Sequence, residues 1–348
     1  MKLCMIGSRG HCHYVFESLK EVPFVELAAV SSGCEDSPQR LLDGAARCGF
    51  SPKVYDDYRE MLDREKPDLV SVDGPFDRHA EMCIEALRRN INVFCEKPIA
   101  LDFASLDEIE KAHAAASAKI VSMVGLRYEP AFQHAHELVE AGAVGKVKLI
   151  GTRKSYRFGV RPDFYRNRAT YGGTIPWVGS HAMDWMIYYG KSGFDTVWAC
   201  EERSDNFGYG DLEVAAQCLF RMSNGIIAQA SIDYLRPAAA PTHGDDRVRI
   251  AGTDGVLEVA GGRIMLIDAQ GEREIPVPPP KRSLFSDFVL DVAGERPALV
   301  DAPQTFLLTR ACLAARESAD TGDLSLRKVK FSLRFNASAT RHAGCSPA

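Results

Sequence analysis

Ile91-Asn92-Val93-Phe94-Cys95-Glu96-Lys97-Pro98-Ile99-Ala100-Leu101 sets a short apolar run against a Glu-Lys pair and a proline. Asn92–Cys95 has the length and composition of a buried strand. A lysine at the carboxyl end of a parallel strand faces the crevice where α/β proteins hold their ligands. Its ammonium can donate to a substrate hydroxyl or lower the cost of deprotonating it. The alternative is a surface Glu–Lys pair, and the apolar run before it argues against that.

The segments around this strand alternate short apolar runs with helical periodicity. Strands are expected at Leu3–Ile6, Val25–Val30, Leu69–Val72 and Ile120–Val124. Helices are expected at His13–Lys20, Gln39–Cys48, Tyr58–Arg64, His79–Arg89 and Phe103–Ala116, the last capped by Asp102. This is the pattern of βαβ units, and it predicts a doubly wound parallel Rossmann sheet over residues 1–125. After a helix at Ala131–Ala141 the pattern turns to long β-type stretches, with Ser223-Asn224-Gly225 as a hairpin turn. Residues 126–327 are therefore expected to form an α+β domain around a large, mainly antiparallel open sheet. Its last helix, Pro303–Asp320, is expected to pack back on the first domain. Residues 328–348 are basic and Ser/Ala-rich, and a loose tail is expected there.

A length of 348 residues suits two domains, and 46% hydrophobic residues suffice for a core without disulfides or metal. The net charge of -5 does not suggest a nucleic-acid partner. None of the 10 cysteines forms a C-x-x-C pair, so zinc-ribbon and thioredoxin readings fail, and no metal site is expected. Cys4, Cys83, Cys95 and Cys218 sit in apolar runs, and reduced core thiols suit the cytoplasm. No signal-peptide core or membrane-spanning run is present, so no membrane partner is expected.

The first strand leads into Cys4-Met5-Ile6-Gly7-Ser8-Arg9-Gly10-His11-Cys12. A dinucleotide fingerprint needs glycine at the turn, where backbone meets pyrophosphate, and where helix packs on strand. Gly7 fills the first place, Arg9 and Cys12 occupy the others, and Gly10 is extra. Backbone N–H groups over Ser8–Cys12, His11 included, would meet the phosphates. Arg9 either adds a charged contact or crowds the cofactor. The second strand ends in Ser31-Ser32, with no acid to hold the ribose of NAD. Together with Arg40 in the next helix, this tilts the cofactor reading towards NADP without excluding NAD.

A strand ending in Glu96-Lys97-Pro98, downstream of such a turn, resembles the glucose–fructose oxidoreductase / inositol dehydrogenase / MocA family. So, in order, do Asp73-Gly74-Pro75-Phe76-Asp77-Arg78-His79, the hinge Met123–Phe132, the substrate-site segment Gly172–Asp184 and the hairpin Ile250–Glu258. The resemblance runs from residue 1 to about 320. It implies hydride transfer between NAD(P) and a secondary alcohol of a sugar, polyol or sugar-acid-like substrate. His181 would take the hydroxyl proton, and Lys97 would polarise the oxygen from a cis Lys97–Pro98 peptide. Pro75, Phe76, His79, Glu96, Lys97 and Arg127 join the cofactor-binding set. On a helix, His181, Asp184 and Trp185 share one face, so Asp184 would bind a substrate hydroxyl or orient His181. Tyr128, Arg168 and Trp177 complete the substrate-binding set. Many sugar dehydrogenases of the family place aspartate where this chain has Trp177, so the substrate is expected to differ from plain inositol or glucose. A homodimer or homotetramer through the second-domain sheet is also implied. The alternatives are a redox-cycling NAD-dependent glycosidase and a non-catalytic ligand sensor.

Overall fold

The computed structural model describes residues 1–33, 37–322 and 327–331. Its first sheet contains β1 (Lys2–Ile6), β2 (Glu26–Ser31), β3 (Lys53–Tyr55), β4 (Leu69–Val72), β5 (Asn92–Cys95) and β6 (Ile120–Ser122). All neighbours are parallel, in the order β3-β2-β1-β4-β5-β6. The crossovers run through α1 (His13–Ser18), α2 (Gln39–Arg47), α3 (Tyr58–Glu65), α4 (His79–Arg88) and α5 (Phe103–Ala114). Parallel strands covered on both faces should be apolar throughout, and β4 is buried at every residue. Asp57 and Asp102 fix two helix starts by accepting the backbone N–H of Arg59 and Ser105.

The second sheet has nine strands among the described residues, in the order β14-β13-β12-β11-β7-β10-β9-β8-β15. They are β7 (Val147–Arg157), β8 (Phe194–Glu202), β9 (Ala215–Met222), β10 (Ile227–Arg236), β11 (Gly244–Gly252), β12 (Gly255–Ala260), β13 (Arg263–Asp268), β14 (Gly271–Ile275) and β15 (Arg327–Phe331). Only β7 and β10 pair in parallel. The remaining helices are α6 (Pro130–Glu140), α7 (Arg168–Tyr171), α8 (Ser180–Gly190), α9 (Leu284–Val292) and α10 (Ala302–Thr321). Strand β9 alternates: Ala216, Cys218, Phe220 and Met222 point inward, with Gln217, Leu219 and Arg221 outward. Helices α8 and α10 pack on this sheet. No helix among the described residues is long and apolar enough to cross a membrane.

Helix α10 does pack back on the first sheet. Its Phe306 and Leu313 join that sheet's core, and the Thr305 hydroxyl accepts the N–H of Ser122 at the end of β6. The tail expectation fails where it can be checked. Lys328 pairs with Thr196 in β15, an edge strand with Val329 buried, so the sheet extends past the expected domain end. Residues 332–348 lie outside the described residues. Cys4, Cys83, Cys95 and Cys218 are free and buried.

Candidate active site

The strand order reverses between β1 and β4, and the loops leaving their carboxyl ends frame the crevice where such folds bind dinucleotides. Gly7 turns with φ +73°, and a Cβ there would lie 2.5 Å from Gly74 Cα. Only glycine lets these two loops touch. The Arg9 N–H donates to the Asp73 carbonyl at 2.8 Å. The Asp73 carboxylate accepts from Gly10 N–H at 2.6 Å and Cys12 N–H at 2.8 Å. Glu96, fully buried, accepts from His11 N–H at 2.7 Å and Lys97 N–H at 2.8 Å, and pairs with His11 Nδ1 at 2.6 Å. Arg40 folds over the loop and donates to the Ser8 and Gly10 carbonyls. The Ser31 hydroxyl is buried without a partner among the described residues.

Lys97 lies next to this loop, 1% exposed, and the Lys97–Pro98 peptide that follows it is cis. Its Nζ donates to the Trp177 carbonyl at 2.9 Å and sits 3.2 Å from the Trp177 ring centroid. Burial pushes the Lys97 ammonium down to about 7, against the pull of Glu96. Trp177 belongs to a π-helical turn, Ile175–Gly179, and its ring packs on Phe76 at 4.6 Å and His11 at 5.7 Å. The turn feeds His181 into the cleft at the start of α8. His181 is buried and its Nδ1 has no partner among the described residues. Burial, then the charges of Lys97 and Lys154, hold its imidazole well below the ordinary value. Phe76, Glu96, Lys97, Trp177, His181 and His11 are thus brought together.

Two residues at the site were not among those expected there: Lys154, and Asp73, which opens a family segment but had no role assigned. Lys154 is 2% exposed, paired with Asp246 of β11 and stacked on Tyr156, and its charge reaches both Lys97 and His181. A usable signal existed: Ile150, Thr152 and Lys154 share the inward phase of β7.

Several expected site residues are committed elsewhere. Asp184 does not orient His181. It forms a two-pronged ion pair with Arg127, whose Nη1 also donates to the Leu299 carbonyl at 2.6 Å and Gln304 Oε1 at 2.8 Å. Arg127 is wholly buried, so it ties the hinge to α8 and α10 instead of reaching for a cofactor. Helix α8 is buried on every side, which removes the single functional face that the spacing suggested. Tyr128 donates to Asp287 at 3.0 Å inside the core. Arg168 pairs with Glu213 at 2.6 Å, Asp320 at 3.0 Å and Glu201 at 3.5 Å. His79 is buried, with its ring nitrogens at the Pro98 and Gly74 carbonyls, so it holds two loops in place.

A sheet reversing at a glycine turn, with a buried lysine whose charge acts on a histidine that has no Nδ1 partner among the described residues, fits a dinucleotide-dependent oxidoreductase. Two family models match the chain: "Oxidoreductase family, NAD-binding Rossmann fold" over residues 1–126, and "GFO/IDH/MocA C-terminal domain" over residues 132–258. The chain belongs to the GFO/IDH/MocA family of oxidoreductases. A solved putative oxidoreductase from Thermotoga maritima is 41% identical, with TM-score 0.89, over 94% of this chain and 100% of that one. The myo-inositol 2-dehydrogenase of Thermotoga maritima is 28% identical over 77% of this chain and 78% of its own length. A levoglucosan dehydrogenase solved with NADH and L-sorbose is 18% identical and shares the fold (TM-score 0.79; 94% of this chain, 98% of that one). The residues fit a nicotinamide dinucleotide: the Gly7 turn sits at the strand reversal, and His181 Nδ1, without a partner among the described residues, feels the Lys97 charge.

Proposed function

We propose that the protein transfers hydride reversibly between NAD(P) and a secondary alcohol of a sugar, polyol or sugar-acid-like compound. The observation that carries this reading is a buried lysine held near 7 beside a buried histidine with an unpartnered Nδ1, at the carboxyl ends of the parallel strands. When bound, the nicotinamide supplies the hydride acceptor. His181, kept neutral by burial and by neighbouring cations, takes the substrate hydroxyl proton at Nδ1. Lys97 spends one N–H on the Trp177 carbonyl and has others for the substrate oxygen, where its charge favours the deprotonated form. Trp177, packed between Lys97 Nζ and the rings of Phe76 and His11, gives the lysine an aromatic wall in place of a carboxylate. Lys154 adds a cation that suits an oxygen-rich or acidic substrate.

Ser31 ends β2 and Ser32 follows it, so no carboxylate stands at the strand's end, and this supports binding of NADP(H) at least as tight as that of NAD(H). Leu149 and Ile227 face each other in register and are exposed on the second sheet, which supports pairing of copies through that face. The test of function is a thermal-shift titration with NAD(H) and NADP(H), followed by a screen of sugars, polyols and their acids for reduction of the dinucleotide. A dinucleotide should raise the melting temperature, and at least one polyhydroxy substrate should turn over. No shift with either dinucleotide at millimolar concentration would overturn the reading.

A further inference from the structure

Asp73 stands in the loop after β4, fully buried, at the crevice where a diphosphate would lie. Its two oxygens take the N–H groups of Gly10 and Cys12, and Glu96 takes that of His11 between them. Three successive amides of the turn that follows β1 are thus held by carboxylates. The two acids converge there: a Cβ on Gly10 would lie 2.4 Å from Glu96 Oε2 and 2.8 Å from Asp73 Oδ1. Amides of such a turn are what a Rossmann fold offers to pyrophosphate. A phosphate oxygen and a carboxylate oxygen need the same donors, and an anion brought here also meets two acids in a low-dielectric setting.

We infer that Asp73 is an internal competitor for the dinucleotide's diphosphate, so that cofactor binding requires its carboxylate to leave the Gly10 and Cys12 amides. This rests on the oxidoreductase reading and deepens it: the diphosphate must displace a carboxylate from the turn's amides. The surroundings agree. Burial and Glu96 raise the Asp73 carboxyl above its ordinary value, opposed by the Gly10 amide, by Arg40 lying over the loop and by the Cys12 amide.

Titration calorimetry with NADH and with ADP-ribose, which carries the diphosphate without the nicotinamide, tests this on the wild type, Asp73→Ser and Asp73→Asn. Asp73→Ser frees both amides, and its Kd for both probes should fall at least about tenfold, which is about 1.4 kcal/mol. Asp73→Asn keeps the shape and one acceptor but loses the charge, and should move the same way by less. It also covers the case in which Asp73→Ser does not fold. Unchanged or weaker binding in the folded variants overturns the inference, because Asp73 would then be shaping the loop for the cofactor. If no protein binds either probe, the oxidoreductase reading falls, and the competitor role with it.

Discussion

Replacing Asp184 with alanine strands a guanidinium that has no solvent to turn to. Arg127 is wholly buried, and the lost carboxylate supplied partners for both Nε and Nη2. Leu299 and Gln304 still satisfy Nη1, so the charge stays in place instead of swinging out. Two charge-assisted hydrogen bonds at about 1.5–3 kcal/mol each give the same range as a broken buried pair, about 3–5 kcal/mol. Urea unfolding followed by tryptophan fluorescence should show the midpoint of Asp184→Ala falling accordingly. Arg127→Met/Asp184→Leu, which removes both charges, should recover most of the loss, because apolar replacement of a buried pair is often neutral. The reasoning is refuted if Asp184→Ala unfolds within about 1 kcal/mol of wild type yet loses turnover. Asp184 would then be the substrate or histidine partner that its position on α8 first suggested.

Lys97 is held near 7 against an ordinary value of 10.5, so the folded state prefers its neutral form. The burial cost is full below about 7 and fades as pH rises towards 10.5, so Lys97→Met should melt above wild type at about pH 6, with the gap closing in alkali. Glu201 is pushed up from 4.5 to about 7, by burial first and then by Glu213. A raised carboxyl stabilises the fold at low pH and loses that stability as pH climbs through the folded value. Glu201→Gln should therefore melt near wild type at about pH 5 and above it at about pH 8, by differential scanning calorimetry.

Most of the scaffold was legible because its signals are local. The βα alternation gave the parallel sheet, Asp102 marked a helix start through its own side chain, and Ser223-Asn224-Gly225 marked a hairpin whose Gly225 has φ +87°. The short edge elements β3 and β14 were missed: three and five residues carry too little periodicity to stand out. At the site, Lys97 and His181 stood out through their motifs, and both are buried, with the Lys97 charge acting on the His181 imidazole. What the sequence could not show was which buried charges find each other. Arg127 and Asp184 are 57 positions apart, and Gly10 and Asp73 are 63 apart, so only the folded chain makes them partners. Helical spacing set Asp184 beside His181, but burial on every side of α8 let the carboxylate answer to Arg127 instead.

In the proposed function Lys97 and His181 perform the proton chemistry of hydride transfer. It is tested most directly by kcat for His181→Ala, on the best substrate from the polyol and sugar-acid screen, with melting temperature and dinucleotide Kd measured on the same samples. A positioned base contributes about 10²–10⁴-fold, so kcat should fall by that factor while Kd and folding stay near wild type. A kcat within a few-fold of wild type in a folded, cofactor-binding His181→Ala protein would contradict the account.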